Sequence, residues 1–153
     1  MAADESLTAK LDSLITLFNR KGMDLPDGLF DRRTQFVLNG APFETLLGQP
    51  PTDPLVLMIA RGPAGYRFAI KGLQHAVPDA LVERGELHDT MVDGVRRVIG
   101  QLWLGGHLQG TGEAIDAVID VALDVEPGGI VRVAATTVPE PALDALRAAR
   151  LRP

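Results

Sequence analysis

Between Ala80 and Val138 the chain reads as four consecutive β-strands joined by short turns, and this run limits the fold more than any other feature. The turn signals are Asp93-Gly94, Gly110-Thr111-Gly112 and Glu126-Pro127-Gly128-Gly129. Such glycines supply the positive φ that tight hairpin turns require. The strands are expected at about 81–89, 95–108, 114–125 and 130–138. A meander of this kind must bury at least one face, so the preceding half of the chain has to cover it.

That half reads as mostly helical. Ser6 or Asp4 can cap a helix running to about Lys21. Leu7, Leu11, Leu14, Ile15, Leu17 and Phe18 form its apolar stripe, and Gly22 stops it. Asp24 or Asp27 can cap a short second helix to about Arg32. Thr34 to Leu38 reads as a strand closed by Asn39-Gly40, and Phe43 to Leu47 as a short strand or helical turn. Gln49 to Pro54 is a proline-rich loop. Leu55 to Ala60 is strand or helix, because so short an apolar run has no decisive period. Gly62-Pro63 opens a third main helix with Tyr66, Phe68, Ile70, Leu73 and Val77 as its apolar positions. The expected organisation is one α+β domain over 1–138 and a tail over 139–153 that forms a short surface helix.

Composition removes several function classes. The 153 residues suit a single domain. With no cysteine, disulfides, thiol catalysis and thiolate metal sites are excluded. A net charge of −5 and a pI near 5.1 argue against nucleic acid or an anionic membrane as partner. The longest apolar run, Leu55 to Ala60, falls far short of the roughly 20 residues of a membrane span. The N-terminal MAADESLTAK carries acids where a secretory leader needs bases, so a cytoplasmic location is expected.

Side chains alternate along a strand, so turn register decides which residues share a face. Two-residue turns at Asp93-Gly94 and Pro127-Gly128, with a connection over 110–113, divide the sheet unequally. One face collects Arg84, Glu86, His88, Arg97, Ile99, Gln101, Trp103, His107, Asp116, Val118, Asp120, Ala122, Val133 and Ala135. In this register Asp120 lies opposite Trp103, and Asp116 opposite His107. The other face is aliphatic, with Leu87, Val98, Leu102, Leu104, Ile119, Val121, Leu123 and Ala134 among its members. Neither face is polar enough to meet only solvent. The mixed face is expected to line a pocket, where apolar walls carry a few placed polar groups. The aliphatic face is expected to meet a second copy of the chain, in a homodimer through the sheet. A bulge carried by any of the turns would flip the assignment for that strand.

The element order resembles the nuclear transport factor 2-like fold, and within it the SnoaL-like polyketide cyclases and the ketosteroid isomerases. The resemblance spans about Leu7 to Val138. It is carried by Phe18-Asn19, by Thr34-Gln35-Phe36-Val37-Leu38-Asn39-Gly40 and by Gly65-Tyr66-Arg67-Phe68. Gly106-His107, Ile119-Asp120 and Pro127-Gly128-Gly129-Ile130-Val131 complete it. It implies a cone: a strongly curved, mostly antiparallel sheet wrapped around about three N-terminal helices, with a deep pocket inside. The isomerase pattern transfers poorly. Asn39 stands about where that family has its aspartate base, and Leu14 near its helical tyrosine; only Asp120 matches a family carboxylate. The cyclase pattern transfers better, since His107 and Asp120 occupy places similar to that group's histidine and aspartate.

Two catalytic candidates follow, Asp120 and, assisting it, His107. A carboxylate inside the apolar run Ala117 to Ala122 is costly unless paired or functional. Its structural alternative is an edge aspartate facing water or an arginine such as Arg97 or Arg132. His107 beside a Gly-rich bend is otherwise a surface histidine. Trp103, Gln101, Asp116, His88, Phe36, Asn39 and Tyr66 are the expected pocket-lining residues. The three histidines form no HxxxH or HxH pair, so no metal is expected, and no cofactor either. Gly105 to Gly112 resembles a phosphate loop but lacks its lysine and its following helix. The function expected is binding of a small apolar organic ligand, with acid/base chemistry on a carbonyl compound if it is an enzyme. The alternative is a non-catalytic binding or assembly module of the same fold.

Overall fold

The computed structural model describes residues 5–46 and 54–148. Four helices, α1 (Glu5–Asn19), α2 (Pro54–Ala60), α3 (Gly62–Ala76) and α4 (Glu140–Ala148), pack with seven strands. The strands are β1 (Phe30–Leu38), β2 (Ala41–Pro42), β3 (Leu81–Arg84), β4 (His88–Val92), β5 (Val95–His107), β6 (Ala114–Glu126) and β7 (Gly129–Thr136). A single 3-10 turn covers Phe43–Leu46. Among the described residues no helix is long and apolar enough to cross a membrane.

The strands form one curved sheet in the order β2-β1-β7-β6-β5-β3, with β4 also paired to β5. Every pairing is antiparallel except β1 with β7. The long β5 and β6 pair from Arg96↔Val125 to His107↔Ala114 and form the spine of the fold. The expected α+β architecture is the one observed.

Several sequence expectations change. Leu55–Ala60 resolves as helix, within α2. No helix forms over Asp27–Arg32; β1 starts at Phe30, where Phe30 buries against Phe36 and Tyr66. The expected strand 81–89 is two strands, broken at Gly85-Glu86-Leu87. There Leu87 tucks over Gly100, whose added Cβ would stand 2.7 Å from the leucine Cδ2. The left-handed residue ending α1 is Lys21 (φ 65), not Gly22. Its ammonium donates to the Ala80 carbonyl at 2.9 Å. The tail is more than a surface helix, since Ala142 and Leu143 of α4 are buried. Parts of the Phe43–Leu47 and Gln49–Pro54 readings, and the end of the tail, lie outside the described residues.

Beyond the break at Gly85-Glu86-Leu87, which pairs Arg84 with Leu102 and Leu81 with Gly105 and so exchanges their faces, the register is corrected in two places. The turns at Asp93-Gly94 and Pro127-Gly128 are as expected, with Val92↔Val95 and Glu126↔Gly129 paired. The middle connection runs over 108–113, however, so Asp120 faces Gln101 and Asp116 faces Gly105. Backbone bonds from Leu108 to Glu113 and from Gly112 to Leu108 close this wider loop. A two-residue shift keeps each side chain on its face and changes only its partner. The second correction is a bulge at Asp124/Val125 in the β6–β7 pairing. Past it, Asp124 pairs with Arg132, so Val133 and Ala135 turn inward and Ala134 outward.

The core follows the aliphatic face. Val98, Leu104, Ile119, Leu123 and Ile130 are buried with Leu7 and Phe18 of α1 and with Tyr66 of α3. The edge strand β3 is sealed by α1. Asn19 Nδ2 donates to the Val82 carbonyl at 3.0 Å, and the Val82 N–H donates to Asn19 Oδ1 at 2.8 Å. The side chain thereby mimics a neighbouring strand and covers an otherwise open edge.

Candidate functional site

The inner face of the sheet, α1 and α3 enclose a cavity of about 290 Å³. The aliphatic face lines it, through residues such as Val98, Leu102, Ile119, Val121 and Leu123. The expectation that the mixed face lines the pocket is therefore reversed. The physical reason is simple: the apolar stripes of α1 and α3 need an apolar partner, and the aliphatic face is the better one. Among the described residues, only Tyr66, Arg84 and Gln101 are polar residues of the lining.

Tyr66 is placed by α3, whose Pro63 sets the first turn. Its ring lies 5.5 Å from that of Phe30, centroid to centroid, and the residue is 8% exposed. Burial alone pushes its pKa up to about 12, with no neighbouring charge or hydrogen bond contributing. The phenol therefore stays protonated and is an unused donor on an apolar wall.

Arg84 points inward because β3 alternates, with Leu81 and Glu83 exposed and Val82 and Arg84 half-buried. Its Nε and Nη2 donate to the two oxygens of Asp12 at 2.5 and 3.0 Å, and Nη1 donates to the Gly85 carbonyl at 3.1 Å. The guanidinium holds the Asp12 carboxyl below the usual carboxylate range, and Asp12 in turn raises Arg84. The pair joins α1 to β3 beside the cavity. Sequence reading placed Arg84 on the mixed face and passed over Asp12. The available signal was the helical position of Asp12, one residue after the apolar Leu11.

The other expected site residues are placed as follows. Phe36 borders the cavity, and Gln101 borders both the cavity and an open groove on the outer face. That groove, of about 570 Å³, also collects Glu86, His88, Asp120 and Thr136. Asp120 is exposed and accepts a hydrogen bond from Gln101 Nε2 at 2.8 Å. His88 Nε2 stands 3.8 Å from Glu86 Oε2. Trp103 lies on the outer face over Gly105 and donates its indole N–H to Asp116. His107 is at the end of β5, more than half exposed, with Nδ1 2.7 Å from Asp79 Oδ2. Its backbone N–H donates to Asp79 Oδ1 at 2.7 Å, and these bonds hold the Asp79 carboxyl below its usual range. Asn39 takes φ 50 at the β1–β2 turn and clasps both the N–H and the carbonyl of Val138. The structure thus brings Asp120, Gln101 and His88 to one groove and leaves His107 apart from them. A buried carboxylate, Glu44, is already paired with Arg61 Nε at 2.8 Å and does not line the cavity.

The cavity lining holds no carboxylate and no imidazole among the described residues. What it offers chemically is an almost wholly apolar container, bordered by Tyr66 and Arg84.

No protein-family model matches the chain, and no curated protein matches it significantly in sequence. Solved structures do match in shape. IdmH from Streptomyces antibioticus is similar over 93% of this chain and 99% of its own, at TM-score 0.63 and 17% identity. A SnoaL-like polyketide cyclase from Agrobacterium tumefaciens is similar over 84% and 88%, at TM-score 0.57 and 19% identity. A hypothetical protein with a ketosteroid isomerase-like fold from Catenulispora acidiphila, solved with trimethylamine, is similar over 87% and 85%, at TM-score 0.59 and 10% identity. At such identities the likeness is one of architecture, and the chain has the nuclear transport factor 2-like fold shared by SnoaL-like and ketosteroid isomerase-like proteins.

Proposed function

We propose that this protein binds a small, mostly apolar organic molecule in the cavity between sheet and helices, with Tyr66 donating a hydrogen bond to a ligand carbonyl. The observation carrying this reading is a buried tyrosine, with no hydrogen-bond partner among the described residues, on the lining of an apolar void of about 290 Å³. A void of that size sits near the lower end of small-molecule sites. Binding of methyl decanoate, followed by calorimetry, tests it. Tyr66→Phe is expected to weaken binding about fivefold, the usual worth of one neutral hydrogen bond. Val121→Trp, which fills the cavity, is expected to abolish it. Equal binding by wild type and a folded Val121→Trp variant would sink the reading.

A second reading keeps catalysis, and the outer groove favours it. There Asp120 would act as the acid/base group beside Gln101 and His88, without His107, which is paired with Asp79 at the far end of β5. Deuterium exchange next to the carbonyl of cyclohexanone is the direct assay. Loss of exchange in Asp120→Asn supports this reading; exchange no faster than in buffer rules it out. The exposed apolar residues of the same outer face, Leu81, Ile99 and Val118, support a homodimer through the sheet.

A further inference from the structure

Among the described residues, Arg84 is the one charged side chain on a lining that is otherwise apolar apart from Tyr66 and Gln101. A guanidinium turned onto the inner face of a strand is expensive unless its donors are used. Asp12 and the Gly85 carbonyl together take three N–H groups, at Nε, Nη2 and Nη1. An arginine has five such donors, so two are unused among the described residues and open to a ligand. Asp12 itself is half exposed, while Arg84 is only one-quarter exposed. Of the two, Arg84 borders the cavity and Asp12 does not, so Arg84 is the member of the pair nearer a ligand held there.

Resting on the binding reading above, we infer that the ligand is an amphipathic organic acid whose carboxylate takes the remaining donors of Arg84 while its apolar tail fills the cavity. Asp12 then has two effects. It holds the guanidinium at the cavity wall, and its negative charge weakens the attraction for the incoming acid. A purely structural ion pair between α1 and β3 would produce neither a preference for acids nor a penalty from Asp12.

Decanoate and methyl decanoate differ only in charge at the head group, so they separate this inference from the one it rests on. Calorimetry at neutral pH is done on the whole chain with both probes. Wild type is expected to prefer decanoate. Asp12→Asn is expected to tighten decanoate several-fold and leave the ester unchanged. Arg84→Met is expected to weaken decanoate by about tenfold or more, the scale of a charge-assisted hydrogen bond, and to leave the ester within about twofold. Added salt should weaken the acid and spare the ester. If Arg84→Met loses its fold, Asp12→Asn and the salt dependence still decide. An ester that binds with no preference for the acid, or an acid preference indifferent to Asp12, overturns this inference alone. Failure of both probes to bind wild type overturns the binding reading as well.

Discussion

Tyr66 is the only tyrosine in the chain, so its ionisation can be followed without interference. An exposed phenol ionises near 10, and burial raises Tyr66 to about 12. Absorbance titration of the native protein should therefore show a midpoint well above 10. The sign of the linked stability follows. Below pH 10 both folded and unfolded states hold the proton, and the contribution is fully present. As pH rises from 10 to 12 the unfolded state releases its proton first, and stability falls by on the order of 2–3 kcal/mol. Tyr66→Phe should lack this loss, and near neutral pH it should match wild type within about 1 kcal/mol, because the hydroxyl has no partner to orphan. Asp12 works in the opposite pH range. Its folded pKa is depressed by Arg84, so its contribution is present above the ordinary value of 3.8 and is lost as pH falls through the lower folded value. The stability gap between wild type and Asp12→Asn, at most about 1 kcal/mol for so exposed a pair, should close below that pH. Denaturant titrations at stepped pH check both statements.

Elements are joined here by side chains that replace missing backbone. Asn19 supplies both a donor and an acceptor to Val82 on the edge strand β3. Asn19→Ala should cost about 1–3 kcal/mol, since one substitution leaves a backbone N–H and a carbonyl without their partner. Hydrogen exchange should locate the effect, with the Val82 amide losing protection. The α2–α3 junction depends on a glycine in the same way. Gly62 takes φ 63, and a Cβ there would stand 2.3 Å from the Arg32 carbonyl oxygen. Gly62→Ala should destabilise by about 2–3 kcal/mol, combining strain with displacement of β1. The long elements were legible in the sequence: α1 and α3 from apolar spacing, β5 and β6 from alternation and their turns. Phe30–Arg32 was not, because Asp24 and Asp27 before it resemble helix caps and its pairing with β7 is distant in sequence. The bulge at Asp124/Val125 left no mark either, since no glycine or proline announces it.

At the scale of the whole molecule, the two sheet faces have separate work. The inner one closes a cavity with α1 and α3. The outer one leaves Leu81 47%, Ile99 42% and Val118 54% exposed, apolar surface that supports the proposed homodimer. Sedimentation velocity should find wild type as a dimer and Val118→Glu as a monomer with unchanged helix and strand content. A wild-type monomer at micromolar concentration would remove the dimer and leave the outer groove open for the catalytic reading. Sequence alone settled the order of the main elements, the partition of β5 and β6 into an aliphatic and a mixed face, and the absence of thiol chemistry. These rest on short-range rules, namely side-chain period, turn residues and composition. Which face turns inward was decided by tertiary packing, because a face has no direction until the helices choose the better apolar partner. The same packing separated His107 from Asp120 and brought Tyr66 and Arg84 to one cavity, since residues far apart in the chain meet only when the sheet curves around α1 and α3.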